Sequence, residues 1–206
     1  MKVLIINGSP RKDGNTETLI KEMEKIFSEE GVEFTQVDVG SKPIRGCIAC
    51  RSCAKEGKCV FNDDPVNKAA KLFEEADGMV IASPVYYASP NGNLLSFLDR
   101  LFFSCHCNKA MKVGASFAIA RRGGTETTFD VLNKYFTISQ MPIASGAYWN
   151  NGFGSQKGEI TQDEEGMQNA RTVARNMVFL MRGIALAKEK YGLPNNGQKI
   201  FTNFIN

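Results

Sequence analysis

The chain has 206 residues and a formal net charge of +3, and 43% of its residues are hydrophobic and 23% charged. This composition is that of one folded domain with a substantial core, and so small a charge does not by itself favour a nucleic-acid-binding protein. A single histidine, His106, excludes multi-histidine zinc and iron enzymes and leaves a Ser-His-Asp hydrolase one candidate base. The six cysteines are the other unusual count.

The sequence predicts neither a targeting segment nor a membrane span. Its first apolar run, residues 3–6, is too short for the core of a signal peptide, and no run approaches the ~20 apolar residues that cross a bilayer. We therefore expect a cytoplasmic protein, in which thiols stay reduced. In that setting the cysteines indicate metal or redox chemistry before disulfides.

Five short apolar runs alternate with amphipathic segments along the chain. The apolar runs predict strands at residues 3–6, 33–39, 78–82, 112–120 and 143–148. Helical spacing and end signals predict helices at about residues 19–27, 66–73, 94–102, 125–138 and 163–191. Strands separated by helices predict a parallel sheet with helices on both faces.

The predicted domain covers residues 1–192, and residues 193–206 form a C-terminal tail. Within the domain, the irregular segment at residues 40–62 carries four of the cysteines, and long loops in compact domains are usually functional. The tail carries apolar side chains, which predict docking on the body or on a partner chain: Ile200, Phe201, Phe204 and Ile205.

The segment after the first strand has the composition of a phosphate-binding loop. Amide groups at a helix N-terminus attract anions, Ser9, Asn15 and Thr16 add polar donors, and Arg11 adds a cationic fork. A Rossmann fingerprint needs a third glycine, and a Walker A loop needs lysine where Asn15 stands. A polar, well-capped loop without a ligand is the structural alternative.

The run Gly8-Ser9-Pro10-Arg11-x-x-Gly14-Asn15-Thr16 resembles the FMN phosphate loop of flavodoxin-like NAD(P)H-dependent flavin and quinone reductases. Residues 83–87 and 120–124 resemble the segments of that family that flank the flavin ring. The resemblance implies a flavodoxin-like three-layer α/β sandwich with a five-stranded parallel sheet of order 2-1-3-4-5. Ligands of such sheets bind beyond the carboxyl ends of the strands, at the switch between strands one and three.

The resemblance also assigns residues to the flavin. It implies that the phosphate is held by Ser9, Arg11, Gly14, Asn15 and Thr16. It implies that the ring is held by Pro84, Val85, Tyr86, Tyr87, Ala120, Arg121, Arg122, Gly123 and Gly124. Either tyrosine on its own has plain core or interface packing as an equal alternative. No residue is assigned a catalytic role, since hydride transfer to a flavin needs no protein base.

Four cysteines follow the second predicted strand with the spacing C-x2-C-x2-C-x5-C: Cys47, Cys50, Cys53 and Cys59. Bacterial ferredoxins begin with the same C-x2-C-x2-C run, whereas structural zinc more often uses two separated pairs. Nearby cations would offset the charge of four thiolates: Arg45, Arg51, Lys55 and Lys58. The pattern resembles the iron–sulfur flavoproteins of anaerobic microbes, which implies a [4Fe–4S] cluster beside FMN. Zinc and no metal at all are the alternatives.

Two further segments favour ordinary structural roles or leave the choice open. Cys105, His106 and Cys107 end a predicted helix, and three clustered ligands without a fourth make a poor metal site. We therefore favour a helix end with polarizable side chains there. Residues 148–154 are aromatic and glycine-rich, which fits a lid or subunit contact as well as a surface turn.

These features together predict an FMN-dependent oxidoreductase. It would transfer electrons between NAD(P)H or a ferredoxin-type donor and a quinone, an oxygen species or a protein acceptor. The resemblance implies a homodimer or homotetramer, and neither nucleic acid nor a membrane is an expected partner. Two alternatives are a cluster-free NAD(P)H-dependent FMN or quinone reductase and a non-enzymatic flavodoxin-like carrier. A zinc-stabilised binding module without flavin is a third.

Overall fold

A computed structural model describes residues 1–41, 43–198, 200–202 and 204 of the chain. The strands are β1 Lys2–Asn7, β2 Glu33–Asp38, β3 Gly78–Tyr86, β4 Ser89–Pro90, β5 Val113–Ala120 and β6 Asn151–Phe153. The helices are α1 Asn15–Glu29, α2 Cys53–Glu56, α3 Val66–Glu75, α4 Gly92–Ser104, α5 Thr125–Ile138 and α6 Glu164–Tyr191. A short 3₁₀ helix, Glu159–Gln162, precedes α6.

The parallel strands lie in the order β2-β1-β3-β5-β6, and β4 pairs with the end of β3 in the antiparallel direction. The parallel α/β architecture is therefore confirmed, but the predicted five-stranded sheet is wrong in detail because the described sheet has six strands. The extra strand has only two residues, and it exists because β3 continues past its predicted end at residue 82 and folds back as a hairpin. The sequence contains no signal for β4, because its two residues do not form an apolar run.

The fifth parallel strand is β6, and the predicted strand at residues 143–148 is wrong. Only Ile143 bridges to β5, through an isolated pairing with Gly114. The backbone that follows turns to the side chain of Asn169, whose Oδ1 accepts from the Ala147 amide at 2.8 Å. A Cβ at Gly146 would lie 2.0 Å from the same oxygen, so this segment packs on α6 instead of extending the sheet.

The two faces of the sheet are covered by different sets of helices. Alternate side chains of β1 point to opposite faces, as the two-residue period of a strand requires. Val3 and Ile5 join the core formed with α1 and α6. Leu4 and Ile6 join the core formed with α3, α4 and α5. This three-layer packing brings the carboxyl ends of β1, β3 and β5 to one edge, where the sequence predicts the ligand.

The C-terminal tail is exposed where it is described, since Ile200, Phe201 and Phe204 have exposed fractions of 91%, 78% and 92%. None of these three side chains is buried by the rest of the described chain, and docking on a partner chain stays a prediction. Ile205, which belongs to the same prediction, lies outside the described residues. None of the helices described is both long and apolar enough to cross a membrane.

Candidate functional site

The loops after β1, β3 and β5 surround a cleft of about 280 Å³ at the carboxyl edge of the sheet. Nine of the residues assigned to the flavin line this cleft: Ser9, Arg11, Asn15, Thr16, Pro84, Val85, Tyr86, Ala120 and Arg121. Three lining residues were not predicted: Ile119, Gly154 and Ser155. The sheet order explains this convergence, because β1 and β3 are neighbours whose connections leave on opposite faces.

Five residues assigned to the flavin do not line the cleft: Gly14, Tyr87, Arg122, Gly123 and Gly124. Gly14 lies at the N-terminus of α1 and Gly124 at that of α5, where each shapes the backbone. Tyr87 is fully exposed at the tip of the β3–β4 hairpin. A sequence motif does not separate a residue that contacts a ligand from one that shapes the loop beside it.

The N-terminus of α1 has no side-chain cap, because the residue at the capping position is Gly14. A 15-residue helix presents unpaired amides and a positive dipole end at such a terminus. Asn15 and Thr16 of the first turn face the cleft beside Ser9 and Arg11. Uncapped amides, a hydroxyl and a guanidinium around one cleft are a donor set suited to a phosphate group.

Hydrogen bonds and close packing fix the backbone of this loop. The buried Asn7 side chain accepts from the Ser9 amide at 2.9 Å and donates to Glu17 at 2.8 Å. Gly40, just after β2, lies so close that a Cβ there would be 2.1 Å from the carbonyl carbon of Ser9. The phosphate loop is therefore held from β1, α1 and the start of the cysteine-containing segment at once.

The two loops assigned to the ring are packed against each other. Tyr87 and Ala88 form the hairpin turn with φ of 49° and 55°, values that non-glycine residues rarely adopt. Gly124 has φ of 88°, and a Cβ there would lie 2.8 Å from Cα of Ala88 and 3.1 Å from the Val85 side chain. Strained backbone of this kind persists where the surroundings impose it, and it clusters at binding sites.

The segment after β6 closes the cleft on the side that the sequence did not predict. The Gly154 amide donates to the Ala120 carbonyl at 2.9 Å, which ties this segment to the end of β5. The Glu159 carboxylate accepts from the Gln156 and Ser155 amides, and these hydrogen bonds lower its pKa. The glycine-rich composition of residues 148–154 was the available signal, but it did not distinguish a lid from a surface turn.

All four predicted metal ligands, Cys47, Cys50, Cys53 and Cys59, line a second, smaller cavity of about 20 Å³. Cys53 and Cys59 are buried, and Cys47 and Cys50 are exposed. Hydrogen bonds from Ser52 lower the pKa of the Cys50 thiol. Two residues of this loop other than glycine, Ala49 and Arg51, have φ of 53° and 57°. Backbone alternating in this way turns amides towards an anion, as it does at many iron–sulfur sites.

Arg100 of α4 is a charged residue of this cavity that the sequence did not predict. Its side chain is only 1% exposed and pairs with Asp64, which is 4% exposed. Its Nε donates to the Cys59 sulfur at 3.3 Å. Although burial alone lowers the pKa of Arg100, its hydrogen bonds to Asp64 and Cys59 raise that pKa overall. An arginine on the apolar face of α4, next to Phe97 and Leu101, was the signal in the sequence.

The cysteine-containing loop is also anchored at α3 by Asn67. The side chain of Asn67 accepts a hydrogen bond from the Cys59 amide at 2.9 Å and donates one to the Cys59 carbonyl at 2.9 Å. Even so, the described residues contain no group of three or more His, Cys, Asp or Glu placed to hold one metal ion.

The cysteine cavity and the cleft share no lining residue. Along α4, Arg100 beside the cysteine cavity lies eight residues from Gly92, the first residue of the helix, and this separation is a rise of about 12 Å along the helix axis.

A parallel α/β sheet whose loops after β1, β3 and β5 meet in one cleft at its carboxyl edge has the architecture of the flavodoxin-like fold. Residues 1–156 match the model of the NADPH-dependent FMN reductase family. The chain belongs to that family, so it is an NAD(P)H-dependent flavin oxidoreductase, and its flavin is FMN.

Several relatives share almost their whole length with the chain. An iron–sulfur flavoprotein of Methanocaldococcus jannaschii is 33% identical over 190 residues, which are 88% of this chain and 98% of the relative. An iron–sulfur flavoprotein of Methanosarcina thermophila is 29% identical over 200 residues, 92% and 100% of the two chains. The chain therefore falls in the iron–sulfur flavoprotein branch of its family.

Solved structures agree on the fold. RosB with a bound riboflavin-phosphate intermediate superposes with a TM-score of 0.69 at 16% identity, covering 100% of this chain and 92% of RosB. The apo form of an NADH:FMN oxidoreductase superposes with a TM-score of 0.59 at 18% identity, covering 88% and 89%. At such identities the likeness extends to the fold alone.

Proposed function

We propose that the chain transfers electrons from NAD(P)H, or from a ferredoxin-type donor, through FMN and a [4Fe–4S] cluster to a quinone, an oxygen species or a redox protein. The observation that carries the flavin half is the convergence of Ser9, Arg11 and the uncapped start of α1 on one cleft. The observation that carries the cluster half is the four-cysteine cavity with a buried N–H donor at Cys59.

In this proposal Ser9, Arg11, Asn15 and Thr16 would hold the phosphate of FMN, and the loops after β3 and β5 would hold its ring. FMN supplies the chemistry, since it accepts hydride from a nicotinamide and passes electrons on. The protein positions it: Tyr86, 43% exposed at the rim, offers an aromatic face. Arg121 supplies a cation near the ring, which favours negative charge there.

The cysteine chemistry fits a cluster better than a zinc ion. Structural zinc more often uses two separated pairs of ligands, whereas bacterial ferredoxins begin with the same C-x2-C-x2-C run as Cys47, Cys50 and Cys53.

The side chains around the cysteines suit a buried cluster. Arg100 offsets thiolate charge and donates to the Cys59 sulfur, and such hydrogen bonds set the reduction potential of iron–sulfur centres. Arg51 lines the same cavity on its exposed side. Cations on both sides of four thiolates reduce the cost of holding that charge away from water.

The flavin half is tested with a matched pair of variants in the phosphate loop. Arg11 lines the cleft, and its neighbour Lys12 is a cation of the same loop that does not. A charge-assisted hydrogen bond contributes about 1.5–3 kcal/mol, so Arg11→Met should weaken FMN binding roughly 10- to 150-fold. Lys12→Met should leave the dissociation constant unchanged. Equal effects in titrations followed by flavin fluorescence would contradict the proposed phosphate site.

The cluster half is tested by iron, sulfide and FMN analysis of protein purified without oxygen. We expect about four irons per chain, with FMN and protein in equal amounts. Cys53→Ser should lose the iron, whereas Cys107→Ser, outside the cysteine cavity, should keep it. Less than one iron per chain in the unmodified protein would leave a cluster-free FMN reductase. NADPH, NADH and a reduced ferredoxin are then compared as donors by the rate of flavin bleaching.

Assembly into a homodimer or homotetramer is part of the same proposal. Large aromatic side chains are exposed in the single chain, with Tyr87, Tyr148 and Trp149 at 106%, 59% and 55%. Exposed aromatic residues of this kind are enriched in protein interfaces. Light scattering coupled to gel filtration measures the mass, and the mass of one chain at micromolar concentration would contradict the assembly.

A further inference from the structure

Two cysteines outside the cysteine cavity lie side by side at the end of α4. Cys105 is the residue that caps this helix, and its amide donates to the Leu101 carbonyl at 2.9 Å. The sulfur atoms of Cys105 and Cys107 are 3.1 Å apart. A disulfide bond is about 2.05 Å long, so the two sulfurs lie about 1 Å from bonding distance. The sequence predicts a helix end with polarizable side chains here, and spacing alone does not show that the two sulfurs meet.

The two thiols differ in their access to solvent. Cys105 is 5% exposed, belongs to the core under α4, and contacts the Ala70 carbonyl at 3.7 Å. Cys107 is half-buried and lines an open cleft of about 610 Å³ together with Lys112 and Lys188. A reagent in this cleft therefore meets Cys107 first, with Cys105 directly behind it.

The surroundings favour one thiolate shared by the pair. The hydrogen bond shared with Cys107 lowers the pKa of Cys105 to about 6, against burial, which raises it. The charge of Lys109 also lowers this pKa. Glu74 opposes this effect. The same sharing, with burial, raises the pKa of Cys107. One proton between two sulfurs at neutral pH is the state from which thiol–disulfide exchange proceeds.

This cleft is separate from both sites described above. Its lining includes Asp77 and Lys112, which directly precede β3 and β5, so it lies at the amino edge of the sheet. The flavin cleft lies at the opposite, carboxyl edge. The inference that follows does not rest on the proposed flavin or cluster chemistry.

We propose that Cys105 and Cys107 form a dithiol–disulfide couple that exchanges with small disulfides entering the cleft. The shared proton first moves from Cys107 to Cys105, and the Cys107 thiolate formed in this way attacks one sulfur of the reagent RSSR, so that one RS⁻ leaves. Cys105 then loses its proton and attacks the Cys107 sulfur, the mixed disulfide breaks, and the second thiol leaves as RSH. The pair loses two electrons and one proton, and RSSR is reduced to RS⁻ and RSH.

The test is peptide mapping of the full-length protein after incubation with oxidised glutathione without oxygen. Trypsin cleavage after Arg100 and Lys109 releases one peptide, residues 101–109, which contains both cysteines and no others. We expect this peptide to lose two hydrogens without gaining glutathione. Dithiothreitol should restore its mass and allow both thiols to be alkylated.

Variants separate the couple from two independently reactive thiols. Cys107→Ser, at the half-buried position, should abolish the two-hydrogen loss and leave Cys105 free for alkylation after unfolding. Cys105→Ser should instead trap glutathione on Cys107, since no second thiol can release it. The proposal is overturned if the unmodified protein accumulates glutathione on Cys107 with Cys105 still free. It is equally overturned if neither thiol reacts in the folded chain while the exposed Cys47 and Cys50 do.

Discussion

Replacing Arg100 with methionine should destabilise the protein strongly, because Arg100 neutralises a buried carboxylate. Both side chains of the Arg100–Asp64 pair are almost completely buried, at 1% and 4% exposure. The contact is bidentate, since the second guanidinium nitrogen lies 3.2 Å from the other carboxylate oxygen. Removing one partner of a buried ion pair typically costs 3–5 kcal/mol, because the other charge is left without compensation.

The further contacts of Arg100 place the expected loss at the upper end of that range. Its guanidinium also donates to the Arg45 carbonyl at 3.2 Å and to the Phe61 carbonyl at 3.5 Å. An unmatched buried acceptor costs about 1–3 kcal/mol, whereas methionine replaces most of the apolar stem and limits the cavity. We therefore expect a loss of about 4–5 kcal/mol, which for a chain of this size lowers Tm by roughly 8–20 °C.

Urea unfolding followed by circular dichroism, on reduced protein without metal, measures this loss. Arg182 is the matched control, since it pairs with Glu30 at 2.8 Å but the two side chains are 50% and 35% exposed. Arg182→Met should cost at most about 1 kcal/mol. Adding Asp64→Asn to Arg100→Met removes the orphaned charge and should recover part of the stability. A loss as small as that of Arg182→Met, or no recovery in the double variant, would refute the reasoning.

Three further predictions concern the frame around the sites. Gly40→Ala should weaken FMN binding and cost about 1–3 kcal/mol, because its Cβ would overlap the Ser9 backbone; Gly183→Ala, where the Cβ meets open space, should stabilise by up to about 1 kcal/mol in the same urea experiment. Glu22 has a pKa below its ordinary value of 4.5, held there by hydrogen bonds from two cations. Its ionised form thus adds stability above pH ~4.5, so Glu22→Gln should destabilise by up to about 1 kcal/mol at pH 7 and by less at pH 3; an equal difference at both pH values would contradict this. Asp163 caps α6 and accepts the Phe153 amide of β6 at 2.7 Å. Asp163→Ala should therefore cost about 1–2 kcal/mol, and unchanged unfolding would show that the cap is dispensable.

The regular elements were predictable because their signals are local. The apolar run of β1 and the helical spacing of Leu19, Met23 and Ile26 depend only on neighbouring residues, and both elements are present. The predicted strand at residues 143–148 is wrong because the end of its backbone forms hydrogen bonds with the side chain of Asn169 instead of extending the sheet. Asn169 is 21 residues away from Tyr148 in the sequence. An apolar run shows which segment is buried, but it does not show which partner receives its hydrogen bonds.

The same distinction separates the predicted and unpredicted parts of the sites. The phosphate loop is one continuous motif, so Ser9, Arg11, Asn15 and Thr16 were found together. Gly154 reaches the cleft only through β6, whose three residues carry too weak a strand signal to place the segment beside β5. Gly154 was therefore missed because pairing across the sheet, and not a local motif, sets its position.

Arg100 shows how far this argument extends. Its contact with Cys59 spans 41 residues and its contact with Asp64 spans 36, so no local pattern contains either one. The sequence does show a charged residue among the apolar positions of α4, where Phe97 and Leu101 are fully buried. A charge on a buried face needs a partner, because an isolated one is too costly. Such a residue predicts that an acceptor exists, and only the fold identifies that acceptor as a carboxylate and a cysteine sulfur.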